Sequence, residues 1–217
     1  MMTAEVSLRA GLQSLQLSLS DQQIAQLLAY MDLIGKWTKV YNLTAVRDPA
    51  DMMTHHLLDS LAVIKPLQRY LQGAGLEQGA KVLDVGSGAG LPGVVIAICC
   101  PDVAVSCVDT VAKKAAFIKQ AALALKLANL TGLHARVESL SEPFDVVCSR
   151  AFASLLDFTN WSGDALAPKG VWMALKGKHP VNELADLPES IEVFHVEQLQ
   201  VPGLEADRCI LWLQRKA

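Results

Sequence analysis

An α/β fold, built on a mainly parallel seven-stranded sheet with a helical extension ahead of it, is predicted by three observations. Over roughly the first 70 residues, apolar side chains recur at helical spacing, as in Ile24, Leu27, Leu28, Met31 and Ile34. From Lys81 onward, short apolar runs alternate with helical segments, the pattern of βαβ units whose strands are buried on both faces. Where the two regimes meet, Lys81-Val82-Leu83-Asp84-Val85-Gly86-Ser87-Gly88-Ala89-Gly90-Leu91-Pro92-Gly93 reads as a buried strand turning through glycines into a helix.

Ser20-Asp21-Gln22-Gln23 has the form of a capping box and opens a helix over 21–39. Asp48-Pro49 opens a further helix that carries His56, Asp59 and Ser60 toward Leu67. Turn residues over 73–79 end the helical region. Strands are expected at 81–86, 103–109, 132–137, 144–150 and 171–176, with helices at 92–100, 112–128, 154–167 and 181–187 between them. Two last strands, 191–199 and 208–215, meet across Pro202-Gly203 without an intervening helix and are expected to close the sheet as an antiparallel pair.

With 217 residues, 52% of them hydrophobic, the chain can bury one full core. A single domain over 1–217 is expected, divided into a helical cap (1–72) and an α/β core (80–217). The net charge of −3 and pI of about 5.9 exclude a global basic field, so any nucleic-acid contact must be a local patch. No basic start with an apolar run opens the chain, and the longest apolar stretch, at 94–100, is far short of the roughly 20 residues of a membrane span. A cytoplasmic monomer with no membrane partner is expected. Cys99, Cys100, Cys107, Cys148 and Cys209 lack C-x-x-C spacing and read as buried free thiols.

Ligands of such sheets lie at the carboxyl ends of the strands. Gly88, Gly90 and Gly93 satisfy G-x-G-x-x-G, which alone does not separate a dinucleotide from other nucleotides. Asp84, two residues before the first glycine, favours a ligand with positive charge there, and S-adenosylmethionine, with its sulfonium and ammonium, suits it better than a pyrophosphate. The candidate cofactor set is Asp84, Gly86, Gly88, Gly90, Leu91, Asp109, Val137, Glu138 and Arg150. Asp109 ends the second strand and can accept from both ribose hydroxyls or cap the next helix. Val137 and Glu138 suit an adenine face and its amino group, with a solvated glutamate as the alternative.

Arg150, at the end of the fourth strand, bears on the substrate. The Asp/Asn-Pro-Pro-aromatic pattern of exocyclic amino methylation is missing there, and Cys100-Pro101 lies at the wrong end of its helix to be a C5 nucleophile. A ring nitrogen or oxygen that attacks without activation remains. Guanine N7 is one, having a lone pair and no proton to lose, so alignment is the main requirement. Arg150 is the candidate catalytic residue, able to donate to guanine O6, to an RNA phosphate or to the cofactor carboxylate. Lys113, Lys114, Lys176 and Lys178 gather on the active edge as candidate phosphate contacts, joined from the helical region by Lys36, Lys39 and Arg47, with Asn42 as a further RNA contact. His55-His56 and Asp59 have no third ligand at a sensible spacing, so no metal is expected. Trp37 and Tyr41 are expected in the core.

The ordered set Tyr41-Asn42-Leu43-Thr44, His56-Leu57-Leu58-Asp59-Ser60, the 84–93 turn, Asp109 with Lys113-Lys114, and Ser149-Arg150-Ala151-Phe152 resembles one bacterial family from about Ser20 onward. It is similar to the small-subunit rRNA guanine-N7 methyltransferases, also called the glucose-inhibited division protein B family. The resemblance implies a Rossmann-like class I methyltransferase using S-adenosylmethionine on a 16S rRNA guanine near the decoding centre, with 16S rRNA or the small ribosomal subunit as partner. By motif position it implies cofactor contacts at Gly86, Leu91, Val137, Glu138 and Arg150. A small-molecule methyltransferase, an NAD-dependent oxidoreductase and a non-catalytic RNA-binding module are the competing readings. The first 15 residues match nothing specific.

Overall fold

The computed structural model describes residues 3–150, 152 and 154–216. Its sheet has seven strands: β1 (Lys81–Val85), β2 (Ala104–Asp109), β3 (Leu130–His134), β4 (Phe144–Arg150), β5 (Leu166–Lys176), β6 (Ile191–Leu199) and β7 (Arg208–Arg215). Their order is β3-β2-β1-β4-β5-β7-β6, with β7 antiparallel to both neighbours and the other pairs parallel. The expected fold class and the closing antiparallel pair are both present. Strand order reverses between β1 and β4, which opens a crevice above their carboxyl ends.

Strand alternation divides the core between two faces. Val82, Val105, Cys107, Val146, Cys148 and Met173 face one side, where the N-terminal helices and α6 (Gly93–Cys99) and α7 (Ala112–Ala124) cover them. Leu83, Val85, Val108, Val147 and Trp172 face the other, under α8 (Leu155–Ser162) and near α9 (Val181–Ala185). All five cysteines are buried free thiols, as the sequence suggested.

The N-terminal region begins with α1 (Ala4–Ser14), in the stretch that the sequence left unassigned. Gly11 of α1 lies so close to Leu58 that an added Cβ would stand 2.4 Å from its Cδ2. Next comes α2 (Asp21–Tyr41), opened by the expected capping box at Ser20 and Gln23 and closed by Asn42 in the left-handed region, with φ 50°. The single helix expected after Asp48 is instead divided. It runs as α3 (Pro49–Met52), a π-helical turn (Met53–Leu58), α4 (Asp59–Leu61) and α5 (Ile64–Gly73). A π turn carries one residue more per hydrogen-bonded ring than an α turn, and so rotates the residues beyond it onto a different face. His56, Asp59 and Ser60 are all buried as a result.

Three further boundaries differ from expectation. The third strand is Leu130–His134 rather than 132–137, and Val137 and Glu138 sit on a 3-10 turn after it. The fifth strand starts at Leu166, because a register shift against Phe144 and Val146 lets Gly170 nest on the Phe144 carbonyl. That earlier start ends α8 at Ser162 instead of 167. Among the described residues no helix is long and apolar enough to cross a membrane.

Candidate functional site

Two cavities open along the carboxyl edge of the sheet, one beside β1 and β2 and the other beside β4 and β5. The first, of about 500 Å³, is lined by Val85, Gly86, Val108, Asp109, Lys114, Val137, Glu138, Phe152 and Trp161, among others. Gly86 and Gly88 have φ of 66° and 58°, in the left-handed region that favours glycine. An added Cβ at Gly86 meets nothing within 4 Å, and one at Gly88 only the Gly86 carbonyl at 4.0 Å, so backbone is bared there for a close approach. Gly90 is different: its Cβ would stand 2.4 Å from Val94 and 2.6 Å from Ile118, so it serves helix packing and not the cavity. Leu91 likewise lies in the core, 4% exposed. Both were expected at the cofactor; with these side-chain positions turned inward, only their backbone could reach it.

Asp84 also departs from the expected direct contact. Its side chain is fully buried beneath the turn, with Oδ2 accepting from Gly93 N at 2.8 Å and Oδ1 left without a partner. Burial pushes its carboxyl up to about 7, against the lowering effects of the Gly93 N–H and the nearby Arg150 charge. The Ser87 hydroxyl is also buried and unpartnered. Asp109 does not cap α7; it ties two loops together, with Oδ1 accepting from Val111 N at 2.8 Å ahead of the helix and Oδ2 from Gly88 N at 3.0 Å. It also lines the cavity, beside Lys114 at 3.6 Å. Glu138 is exposed and Val137 buried at the cavity's far end.

The second cavity, of about 400 Å³, is lined by His55, His56, Asp59, Arg150, Lys176 and Arg208, among others. Arg150 belongs here rather than to the glycine cavity. Its Nη1 donates to the His55 carbonyl at 3.0 Å and to Asp59 Oδ2 at 3.1 Å, while Asp59 Oδ1 accepts from Arg208 Nε at 2.9 Å. One buried carboxylate therefore orients two guanidinium groups, and with Arg208 Nη1 also donating to the Asp207 carbonyl at 2.8 Å, their Nη2 groups remain for a ligand. His56 Nε2 lies 2.7 Å from the Thr44 hydroxyl. Burial, then the Arg150 charge, lower its pKa and keep its ring neutral near pH 7.

The expected lysine cluster is only partly available. Lys176 is mostly buried and pairs with Glu183 at 2.7 Å, which removes it from the set of free phosphate contacts. Lys113 donates to the Tyr41 carbonyl at 3.2 Å, whereas Lys178 is exposed. The ends of β2 and β5 stand three strand spacings apart, about 14 Å, so these lysines form an edge and not a single cluster. Asn42 is exposed and accepts from Arg47 at 2.9 Å. Trp37 packs on Phe117 as expected, but Tyr41 is 45% exposed. Ala151 of the Ser149-Arg150-Ala151-Phe152 motif lies outside the described residues.

Sequence reasoning missed Tyr30 and Arg208. Tyr30 is fully buried on α2 and donates to the Ala89 and Gly90 carbonyls, at 2.5 and 3.1 Å, tying the helical region to the glycine turn. It occupies a helical core position, and only its hydroxyl could have signalled more. Arg208 opens the last strand, 149 positions along the chain from the Asp59 carboxylate it meets.

The topology with these cavities is that of known methyltransferases. TrmN from Thermus thermophilus superposes with a TM-score of 0.54 at 20% identity, over 76% of this chain and 53% of that one. A SAM-dependent methyltransferase from Aquifex aeolicus gives 0.52 at 18%, over 71% and 92%. Such distant likenesses show the fold. The family model for rRNA small subunit methyltransferase G matches residues 23–211. The chain belongs to that family. A Ribosomal RNA small subunit methyltransferase G from Polaromonas sp. strain JS666 is 75% identical over 98% of this chain and 94% of its own length. One from Polaromonas naphthalenivorans is 76% identical over 96% and 94%. The rRNA small subunit methyltransferase G family is named for methylation of small-subunit ribosomal RNA, so the oxidoreductase, small-molecule and non-catalytic readings give way.

Proposed function

We propose that this chain transfers a methyl group from S-adenosylmethionine to N7 of a 16S rRNA guanine near the decoding centre, using the two cavities for cofactor and target base. The observation that carries the reading is that one sheet edge holds both cavities: Gly86, after β1, lines the one with the ribose-type carboxylate Asp109, and Arg150, at the end of the paired strand β4, lines the cationic one.

The residues fit the cofactor. The bared backbone at Gly86 and Gly88 admits close approach, Asp109 retains lone pairs for ribose hydroxyls, and Val137 and Glu138 suit adenine. When bound, S-adenosylmethionine supplies the electrophilic methyl group. The protein's share is alignment, because N7 has no proton for a base to remove. Arg150 and Arg208, held by Asp59, can orient guanine O6 or an RNA phosphate in the second cavity, and neutral His56 adds no charge that would repel the cofactor's sulfonium. Exposed Lys178 extends the contact along the RNA backbone.

We place the helical region 1–72 as a cap of the same unit as the 80–217 core, since Tyr30 holds the glycine turn from it. The protein is a cytoplasmic monomer in this reading, and its substrate is small-subunit rRNA, free or within an assembling particle. Chemical cleavage at N7-methylguanine in 16S rRNA from cells with and without the protein tests the proposal. The cleaved position is expected only where the protein is made, and identical patterns would overturn it.

A further inference from the structure

A third cavity, of about 650 Å³, lies away from both others, between α1, α2 and the start of α3. Its floor is apolar, from Leu28, Met31 and Met52. Thr38 lines it with a hydroxyl that has no hydrogen-bond partner although the residue is only 4% exposed. Gly35, in the middle of α2, also lines it. An added Cβ there meets nothing within 4 Å, so no neighbour requires glycine, and a mid-helix glycine costs about 1 kcal/mol relative to alanine. What its missing side chain leaves open is the groove.

The rim is cationic. Lys36 and Lys39 are exposed, with no ion-pair partner among the described residues, and Arg47 stands opposite; Asp32 is the one carboxylate among the lining residues described. The rim also runs on to the active edge. Arg47 bonds Asn42 at the end of α2, and Lys113, in the first turn of α7 next to Asp109, bonds the carbonyl of Tyr41.

We infer that this groove binds an unstacked base of the rRNA flanking the target guanine, with the adjoining phosphates on Lys36, Lys39 and Arg47. A nucleobase has an apolar face for the Leu28, Met31 and Met52 floor and polar edges for the orphaned Thr38 hydroxyl, and its backbone supplies the negative charge that the rim lacks. The continuity through Asn42 and Lys113 makes one strand path from groove to active edge. The inference rests on the proposed rRNA methylation and adds a second docking point to it.

Gly35→Leu fills the groove from a position where nothing obstructs the new side chain. Methylation of protein-free 16S rRNA and of small-subunit particles would be measured for wild type and variant, with S-adenosylhomocysteine affinity and Tm as controls. Expected are a Tm no lower than that of wild type, an unchanged cofactor affinity, and a KM for RNA raised about tenfold on either substrate, the size of one lost base contact. The double variant Lys36→Gln/Lys39→Gln should raise KM similarly and flatten its salt dependence by about 1.4 in log–log slope. It keeps the test decisive if the first variant unfolds. Equal KM for wild type and both variants overturns the groove while leaving the methylation intact. A loss confined to particles, with free rRNA methylated equally, assigns the groove to a ribosomal protein and overturns it too. Wild-type protein that methylates neither substrate removes the reading beneath it.

Discussion

Asp59 shows how much one buried carboxylate can organise. It meets Arg150 and Arg208 from β4 and β7, so Asp59→Ala leaves two guanidinium groups unpaired and should cost about 2–3 kcal/mol in denaturant unfolding. Arg150→Ala leaves Asp59 still paired with Arg208; turnover should fall at least a hundredfold while Tm moves by only a few degrees. Equal losses of stability and activity would make Arg150 a structural residue. Asp84 carries the pH prediction. Its folded-state pKa, raised from 3.8 to about 7, means that the folded protein holds a proton which the unfolded chain has released. That contribution is full below about pH 4 and is lost as the pH climbs through 7. Relative to Asp84→Asn, wild type should therefore lose about 2–3 kcal/mol of stability between pH 5 and 8 without ligand. A parallel pH dependence in both proteins would contradict it. From sequence alone Asp84 was singled out correctly as unusual, yet its burial under Gly93 was illegible, because which face of a strand a helix covers depends on segments not yet placed.

At the scale of elements, the glycine turn depends on neighbours from both sides. Gly93 packs so closely on Cys107 and Asp84 that Gly93→Ala must displace one of them, which should cost about 1–3 kcal/mol. Tyr30→Phe keeps the ring and removes only the bonds to Ala89 and Gly90; thermal unfolding should show a loss of about 1 kcal/mol, and calorimetry a several-fold weaker S-adenosylhomocysteine affinity. Unchanged affinity would separate the turn from its helical support. Periodicity placed α2, β1, β2 and β4 within a few residues. It failed where hydrogen-bonding pattern and not burial decides the element: the π turn at Met53–Leu58 has the same apolar composition as a continuous helix. The boundary of β5 was hidden for a similar reason, since its early residues pair only through a register shift.

For the whole molecule, a net charge of −3 coexists with an RNA substrate, so binding must rest on local cations and respond to salt. If four phosphates are held, RNA affinity should fall on the order of 10²-fold between 50 and 200 mM salt, and affinity for S-adenosylhomocysteine far less. Salt-independent RNA binding would contradict a cationic edge as the RNA contact. The sequence by itself determined the fold class and the family, because these reside in local periodicity and in motifs read in order along the chain. Only the tertiary structure decided which residues share a cavity: that Arg150 joins Asp59 and Arg208, that Lys176 is spent on Glu183, and that Gly90 faces the core. Those outcomes depend on contacts between segments dozens of residues apart, whose geometry exists only once the sheet and its helices have packed.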